Sequence, residues 1–534
     1  MTSLDDQTSA EGHPPDEEHP AGPAPAPRRP LSPRMVFVVF FGILLGTTLS
    51  GLDAAIVATA APTIISELGD LSLLPWLTTA YLLAQTTTMP VYGKLGDIYR
   101  RKRMFIIAIC TFLLGSALCG LSTSMAMLIG CRALQGVGAG GITGLGMALV
   151  ADLVPSEKLG RYLGYTGLVF AVTSVLGPFV GGLFVDHLSW RWAFYINVPL
   201  GAICLVTLLW QPAQAVIIKH RIDVLGALLL GGGVTCLLLA LSHSGDMDWT
   251  SVRTLGLLTT FVVAIALFVV WENRVAEPLL PLRILASRIT ALCTFANLVA
   301  GVGFTCGIIY PPIFFQAVAG VDASKSGLLL APFAFTCAVS TLAAGQLTDR
   351  VGGYKVLPLI GMVFLGAGYG LLGTIDGGTS AAEVMAFAMI AGVGVGFVMQ
   401  TLLFVVQRSS TDRDIGVATS TVMLFRVMGS SIGVAVLGSA FTASLSTEVE
   451  SRLPGFPTSE IQGAPQKIAA MAPEVKAHLQ EAFALSLGTA FKVAVPFMIV
   501  GFLAVLAIPG RKVKARMAEH RTVPVTTESV AHTL

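Results

Sequence analysis

Asp53 and Arg132 are ionisable side chains inside long apolar segments, and residues of these types could do chemistry there. Asp53 lies deep in the apolar segment 35–60, and Arg132 lies early in the segment 125–150. A charged aspartate at a bilayer centre costs roughly 2.5–3.5 kcal/mol, so it must face a cavity or a partner. A carboxylate in such a place can bind a proton or a cation. The alternative for Asp53 is a capping or packing role near one end of its helix.

Two further polar positions extend this pair of residues. Gln135 follows Arg132 by about one helical turn and therefore shares its face. We predict that Arg132 tunes Asp53 or relays its proton; the alternative is a structural arginine that binds backbone carbonyls of a neighbouring helix. Arg426, in the segment 415–442, either counters a substrate charge or holds helices together.

The composition places these residues in a membrane. Of 534 residues, 54% are hydrophobic and only 12% are charged, against about 45–50% and about 25% in soluble domains. This excludes an ordinary soluble enzyme and a disordered chain. With 33 Lys and Arg against 31 Asp and Glu, the chain also lacks the basic field of a nucleic-acid binder. No residues show the spacing of metal ligands, and no catalytic cluster of an enzyme is present.

The apolar runs predict an all-α polytopic membrane protein with fourteen transmembrane helices. The segments are 35–60, 74–94, 104–122, 125–150, 161–185, 193–210, 223–243, 253–271, 289–316, 326–346, 355–374, 381–406, 415–442 and 487–509. Residues 1–34 are rich in proline and acids and are predicted to be a disordered cytoplasmic tail. If both ends lie inside, 24 Lys and Arg fall on the inner side and 7 on the outer side, as the positive-inside rule expects.

The chain repeats itself at an offset of 252 residues. Gly93-Lys-Leu-Gly-Asp97 recurs as Gly345-Gln-Leu-Thr-Asp349. We therefore predict a six-helix bundle at 35–210, two inserted helices within 211–275, a second six-helix bundle at 276–510, and a basic cytoplasmic tail at 511–534. Secondary transporters are built from such repeats, with the substrate site between the halves near the midplane.

Two groups of residues are predicted to take part in movement of the halves. The conformational latch is a set of charges and a glycine at the inner loops: Gly93, Asp97, Arg101, Lys102, Asp349 and Arg350. The hinge is the segment Gly177, Pro178, Gly181 and Gly182, because proline removes a helical hydrogen bond and glycine permits close packing at the bend.

Polar and aromatic residues at suitable depth are the candidates for the substrate cavity. They are Asp53, Gln85, Gln135, Phe170, Asn297, Tyr310, Gln400, Phe404, Phe425 and Arg426. The alternative is a position in the packed core, and it applies to Gln85, Phe170, Asn297, Tyr310, Gln400, Phe404 and Phe425. The segment 445–486 is predicted to be a long outer loop, with an amphipathic helix around Leu479 as the alternative.

Together these motifs resemble the fourteen-span drug:proton antiporter branch of the major facilitator superfamily. The matching residues are Leu52-Asp53 through Ala60-Ala61-Pro62, Gly93, Leu95, Asp97, Arg101, Lys102, Arg132, Gln135, Gly136, Gly138, Gly177-Pro178, Gly181-Gly182, Trp190 through Pro199, and Asp223. The resemblance covers about residues 35–510. Three positions depart from the usual pattern: Arg100 replaces a glycine in the loop, Thr173 replaces a glycine, and Ala58 replaces an asparagine near Asp53.

The resemblance implies a proton-coupled antiporter in the cell membrane that exports lipophilic drugs or antibiotics, works without a cofactor, and acts as a monomer. Its expected partners are small lipophilic molecules, protons and the lipid bilayer. A dedicated exporter of one endogenous metabolite or lipid is the first alternative, and a polytopic membrane enzyme is the second. With one deep carboxylate we expect one proton per cycle, and monovalent or neutral substrates handled better than dications.

Overall fold

The computed structural model describes residues 33–68, 74–154, 158–209, 223–242, 251–275, 278–280, 282–321, 323–351, 354–411, 414–456 and 471–509. Sixteen helices occupy most of this part of the chain. They are α1 (Pro33–Leu68), α2 (Leu74–Tyr99), α3 (Arg101–Gly120), α4 (Met125–Leu153), α5 (Leu159–His187), α6 (Trp192–Tyr195), α7 (Asn197–Leu209), α8 (Val224–Ser242), α9 (Val252–Glu272), α10 (Leu282–Ala286), α11 (Arg288–Ala317), α12 (Ala323–Val351), α13 (Val356–Leu372), α14 (Ala381–Ser409), α15 (Ile415–Arg452) and α16 (Pro473–Leu506).

The predicted fold class is confirmed. A helix covers each of the fourteen predicted apolar segments, with α6 and α7 together covering the sixth. By length and composition, eleven helical stretches of the described chain can cross a membrane, and α13 is a shorter apolar helix. The protein is therefore a multi-pass membrane protein.

The predicted outer loop 445–486 differs from the structure. Helix α15 continues to Arg452 and α16 begins at Pro473, so both ends of that segment are helical. The physical reason is that the apolar face continues past the predicted membrane boundary: Leu445, Val449 and Leu479 are fully buried. The remainder of that loop, like most of the predicted tails 1–34 and 511–534, lies outside the described residues.

Helix packing shows a two-fold pattern. In the first half α4 packs against both α2 and α3, and in the second half α14 packs against both α12 and α13. Helix α1 packs on α5 and α7, while α11 packs on α15 and α16 in the same way. Between the halves, α5 packs on α12, and α2 packs on α15. The inserted helices α8 and α9 pack on each other and meet the halves through α2 and α15.

Candidate functional site

The structure brings Asp53 and Arg132 together in a buried ion pair. The Nη1 atom of Arg132 lies 2.5 Å from Asp53 Oδ2, and Gln135 Nε2 donates to Asp53 Oδ1 at 2.7 Å. All three side chains are at most 1% exposed. Asp53 lies in the middle of α1, whereas Arg132 and Gln135 lie one turn apart on α4. The predicted spacing on one helix face is therefore what allows both α4 side chains to reach one carboxylate.

Arg132 makes four further contacts. Its Nη1 also donates to Gln135 Oε1 at 2.7 Å, and its Nε donates to the Leu77 backbone carbonyl at 3.3 Å. The guanidinium carbon lies 4.2 Å from the ring centroid of Tyr81 and 5.9 Å from that of Phe194. Arg132 thus makes the carbonyl contact of the structural interpretation and also pairs with Asp53, while its tuning of Asp53 or relay of a proton stays a prediction.

Asn197 belongs to the same cluster, and sequence reasoning did not assign it there. Its Nδ2 donates to Asp53 Oδ1 at 2.8 Å and to Ser116 Oγ at 2.9 Å. Ser116 in turn donates to the backbone carbonyl of Phe194 at 2.8 Å. Asn197 thus gives Asp53 a second amide partner in a chain that has Ala58 where the family pattern has asparagine. A lone asparagine between two apolar stretches was the available signal.

The cluster has one unfilled acceptor. Asn197 Oδ1 is buried and has no hydrogen-bond partner among the described residues. Asp53, by contrast, already accepts from Arg132, Gln135 and Asn197. Both oxygens of an ionised Asp53 therefore already accept hydrogen bonds. A protonated Asp53 could donate to Asn197 Oδ1, the acceptor that is unpartnered among the described residues.

Asp97 and Arg101 of the predicted latch lie at a contact between the two halves, and the opening and closing of this contact stay a prediction. Asp97, near the end of α2, accepts from the backbone N–H groups of Gly416 at 3.2 Å and Val417 at 3.0 Å, in the first turn of α15. Arg101 joins Asp97 at 2.7 Å and Asp152 at 2.6 Å. A carboxylate at a helix N-terminus is stabilised by the orphan N–H groups and the helix dipole. Asp97 therefore ties the first half to the start of a helix in the second.

Close contacts between the halves explain two glycines, Gly93 of the latch and Gly416 of α15. A Cβ on Gly416 would lie 2.8 Å from Asp97 Cγ, and a Cβ on Gly93 would lie 2.8 Å from the Ser420 Cβ. Arg100, which replaces the usual glycine, takes φ 80° and ψ 119°. The tight turn thus forms with an arginine in a conformation that L-residues rarely adopt, at a cost of order 1–3 kcal/mol.

Two glutamines also bond across the halves at the same end. Gln400 Nε2 donates to the Leu163 carbonyl at 2.7 Å and to Thr166 Oγ1 at 2.6 Å. Gln407 Nε2 donates to the Met147 carbonyl at 3.2 Å. Gln400 therefore closes this end and is not open to a central cavity.

The other predicted cavity residues separate into core and partly exposed positions. Gln85 is partly exposed and donates to Thr143, while Asn297 is buried and donates to the Cys293 carbonyl. Tyr310 and Phe404 are buried, and Phe404 stacks on Tyr354. Phe425 and Arg426 are partly exposed. The side chains of Phe170, Pro178, Asp349 and Arg350 lie outside the described part of the structure, so their roles in the cavity, the hinge and the latch stay predictions.

Helix α5 runs without a break through the predicted hinge. Gly177 packs against α1, where its added Cβ would lie 3.5 Å from Ala55 Cα, whereas Gly182 has no atom within 4 Å of that position. Thr173, the other departure in this helix, packs against Gly51 of α1. Flexing of α5 stays a prediction.

At the opposite end from the latch, Glu67 joins α1 to the start of α6. Its carboxylate accepts from Arg191 at 2.5 Å and from Trp190 Nε1 at 2.7 Å. The hydrogen bond from Arg191, with that from Trp190, holds the pKa of Glu67 below its ordinary value. The stabilisation from this contact is therefore present above that ordinary value and is lost as the pH falls through the lowered pKa. Glu67 stays ionised in mild acid.

Substituting Gly138 by alanine should destabilise the protein by about 1–3 kcal/mol. A Cβ at this position would lie 2.6 Å from the Ala108 carbonyl oxygen and from Phe112 Cα, both backbone atoms of α3. Gly130, on the same helix α4, has no atom within 4 Å of its Cβ position, so Gly130→Ala is the matched control. We expect a lower melting temperature in detergent for Gly138→Ala alone; equal melting of both variants would contradict tight α3–α4 packing.

Known proteins resemble this chain in sequence and in fold. The model of the Major Facilitator Superfamily matches residues 43–434. An uncharacterised MFS-type transporter of Mycobacterium tuberculosis is 37% identical over 488 residues, covering 90% of this chain and 70% of that protein. The multidrug transporter protein MdtP of Bacillus subtilis is 36% identical over 409 residues, covering 75% of this chain and 74% of that protein. The crystal structure of the human organic anion transporter MFSD10 shares the fold, with a TM-score of 0.60 at 15% identity over 89% of this chain and 100% of that chain. With its two-fold helical packing and a family match over most of its length, the chain belongs to the Major Facilitator Superfamily of membrane transporters.

Proposed function

We propose that this chain is a proton-coupled antiporter that exports lipophilic drugs or antibiotics from the cytoplasm by alternating access. The observation that carries the proposal is the Asp53–Arg132 ion pair, which is buried from solvent between membrane-spanning helices. Relatives named as multidrug transporters support the export of drugs. In this proposal the protein lies in the cell membrane as a monomer, has both termini in the cytoplasm, and is driven by the proton gradient alone.

Proton uptake by Asp53 would change the balance of the buried cluster. The pair is neutral while Asp53 is ionised, and protonation leaves the Arg132 guanidinium without its counter-ion. An uncompensated buried charge costs about 3–5 kcal/mol, so the protonated cluster favours a rearrangement that gives Arg132 water or a new partner. Rotation of the Asn197 amide would turn its unused Oδ1 toward the Asp53 hydroxyl and stabilise the protonated form.

The contacts at the latch indicate which state of the transport cycle contains the intact Asp53–Arg132 ion pair. The positive-inside rule favours a cytoplasmic position for the latched end, and in that orientation Asp97 and Gln400 hold the structure closed on the cytoplasmic side. In the proposed cycle the substrate leaves from this state and a proton enters from outside to reach Asp53. The broken ion pair then favours release of the latch, and the proton departs to the cytoplasm as the next substrate binds.

The charge balance of the interior favours neutral and anionic substrates. Asp53 is fully buried and paired, so its charge is screened from a substrate. Arg426 lies within α15, is partly exposed, and has no hydrogen-bond or ion-pair partner among the described residues. Because a guanidinium is costly in lipid, its exposed surface is expected to face water or substrate. A dication would meet this positive charge, and no carboxylate of the described residues forms an ion pair with it.

Replacing Arg426 by glutamine should therefore change selectivity for charge. A hydrogen bond to a charged group contributes about 1.5–3 kcal/mol, so we expect KM for a monoanionic dye to rise about tenfold or more. A neutral dye of similar size should be transported as before, and a cationic one should improve. Arg253→Gln, at an exposed arginine of α9, is the control. Equal effects on all three dyes would show that Arg426 holds helices together instead.

The proposed function is tested with purified protein in liposomes under an inward acid gradient. A panel of lipophilic neutral, anionic and cationic compounds is added, and the internal pH is followed with a trapped indicator. Antiport requires that a transported compound accelerates proton movement and that the compound moves in the opposite direction. Compound movement with no proton flux would exclude coupling, while silence with every compound would favour a dedicated exporter of a substrate outside the panel.

A further inference from the structure

Two buried acidic residues, Asp223 and Glu272, lie where the inserted helices meet the latch end of the protein. Asp223 immediately precedes α8, and Glu272 is the last residue of α9; they are 6% and 4% exposed. Asp223 Oδ1 accepts from the Gly226 N–H at 2.8 Å and from Trp271 Nε1 at 2.9 Å. Glu272 Oε1 accepts from the Leu280 N–H. One oxygen of each carboxyl group thus has backbone or indole donors.

The other two oxygens point to the same small space. Asp223 Oδ2 and Glu272 Oε2 are buried and have no hydrogen-bond partner among the described residues. Both lie against the bare Cα of Gly226, with Glu272 Oε2 3.0 Å from the position of an added Cβ. The two carboxyl groups therefore face each other beside Gly226. Two ionised carboxylates cannot hydrogen-bond to each other, because neither has a donor.

A single proton would satisfy both oxygens. It would turn one group into a donor to the other and remove the repulsion between two adjacent negative charges. Lys94 of α2 is the cation whose charge acts on Glu272. With one proton shared, the pair carries one negative charge, which the positive charge of the partly exposed Lys94 partly offsets. A metal cation is a poorer occupant, because it needs more oxygen ligands than the two unused here.

We propose that Asp223 and Glu272 form a second proton-binding site in which one proton is shared between the two carboxyl groups. The site joins the inserted helices to α2, because Asp223 immediately precedes α8 and α8 packs on α2, the helix that carries the latch residue Asp97. Loss of the shared proton would leave one uncompensated negative charge next to Lys94. The inserted helices would thus make the latch end sensitive to protons, independently of Asp53.

The proposal is tested by infrared spectroscopy and proton counting on the full-length protein in detergent, without substrate. Glu272→Gln and Asp223→Asn are the variants, because either amide can donate to the remaining carboxylate in place of the proton. We expect the wild-type protein to show the carbonyl band of a protonated carboxyl group at neutral pH. Each variant should lose this band and should bind one proton fewer than the wild type when it is titrated from alkaline to neutral pH. Glu450→Gln, at an exposed glutamate, should change neither quantity in the neutral range.

Three results would overturn the proposal. The first is a wild-type spectrum that matches those of both variants in the protonated carbonyl region. The second is an equal proton count for wild type and variants. The third is a carboxylate band in the wild type that shifts when magnesium is added and returns with a chelator, which would assign the space to a cation. If one variant does not fold, the other gives the same comparison, and the magnesium measurement uses the wild type alone. None of these readouts depends on transport.

Discussion

Asp53→Asn should abolish substrate-driven proton flux in liposomes while leaving an assembled protein. Asparagine keeps the size of the side chain but cannot be ionised, and it leaves the Arg132 guanidinium buried without the partner now 2.5 Å away. Breaking a buried pair in this way costs about 3–5 kcal/mol, so a lower melting temperature is expected as well. The proton flux should fall to that of empty liposomes at every substrate concentration.

Glu67→Gln is the matched control for this substitution. Glu67 lies on the same helix α1 and also pairs with an arginine, but it sits at the end of the helix and is solvent-exposed. Its lowered pKa keeps it ionised in mild acid, so it is not expected to carry a proton. Coupling in Glu67→Gln should stay near the wild-type value. Proton coupling that survives in Asp53→Asn would show that Asp53 does not carry the proton. Asp97 would then be the next candidate for the proton-binding residue.

The Asp53 cluster in the first bundle shows what could be predicted from the sequence. The deep acid, the arginine and the glutamine one turn away were predicted to act together because their costs in a membrane demand partners, and the structure places all three in contact. The positions of the helices were predicted from the apolar runs, because a helix that spans a membrane must be apolar over about 20 residues. These inferences used only local spacing and the energetics of burial.

Contacts between distant segments were beyond such inference. Asn197 reaches Asp53 across 144 positions of sequence, and nothing local to either residue indicates that α7 packs beside α1. The acid pair Asp223 and Glu272 is similar, since each residue stands at a helix end where an acid is unremarkable. Gln400 was assigned to the cavity by depth alone, but its bonds to Leu163 and Thr166 place it in the contact between halves.

Gly416→Ala should open the latched end and slow transport by about tenfold or more. Its Cβ would lie only 2.8 Å from Asp97 Cγ, which is too close for two carbon atoms. The Asp97 carboxyl group would therefore move away from the N–H donors of Gly416 and Val417. A hydrogen bond to a charged group contributes about 1.5–3 kcal/mol, so even one lost bond shifts the ratio of closed to open states by about tenfold.

The shift is measured as a distance across the latched end. Spin labels at positions 158 and 356 report on the first and second halves, in a chain whose accessible cysteines have been replaced. We expect Gly416→Ala to broaden the distance distribution toward longer values, and Asp97→Asn to do the same without adding bulk. Gly438→Ala, on the same helix with only the Tyr310 hydroxyl at 3.6 Å from its Cβ position, should leave the distances unchanged. An unchanged distribution in both Gly416→Ala and Asp97→Asn would mean that the glutamine contacts and helix packing, and not the Asp97 carboxylate, hold this end closed.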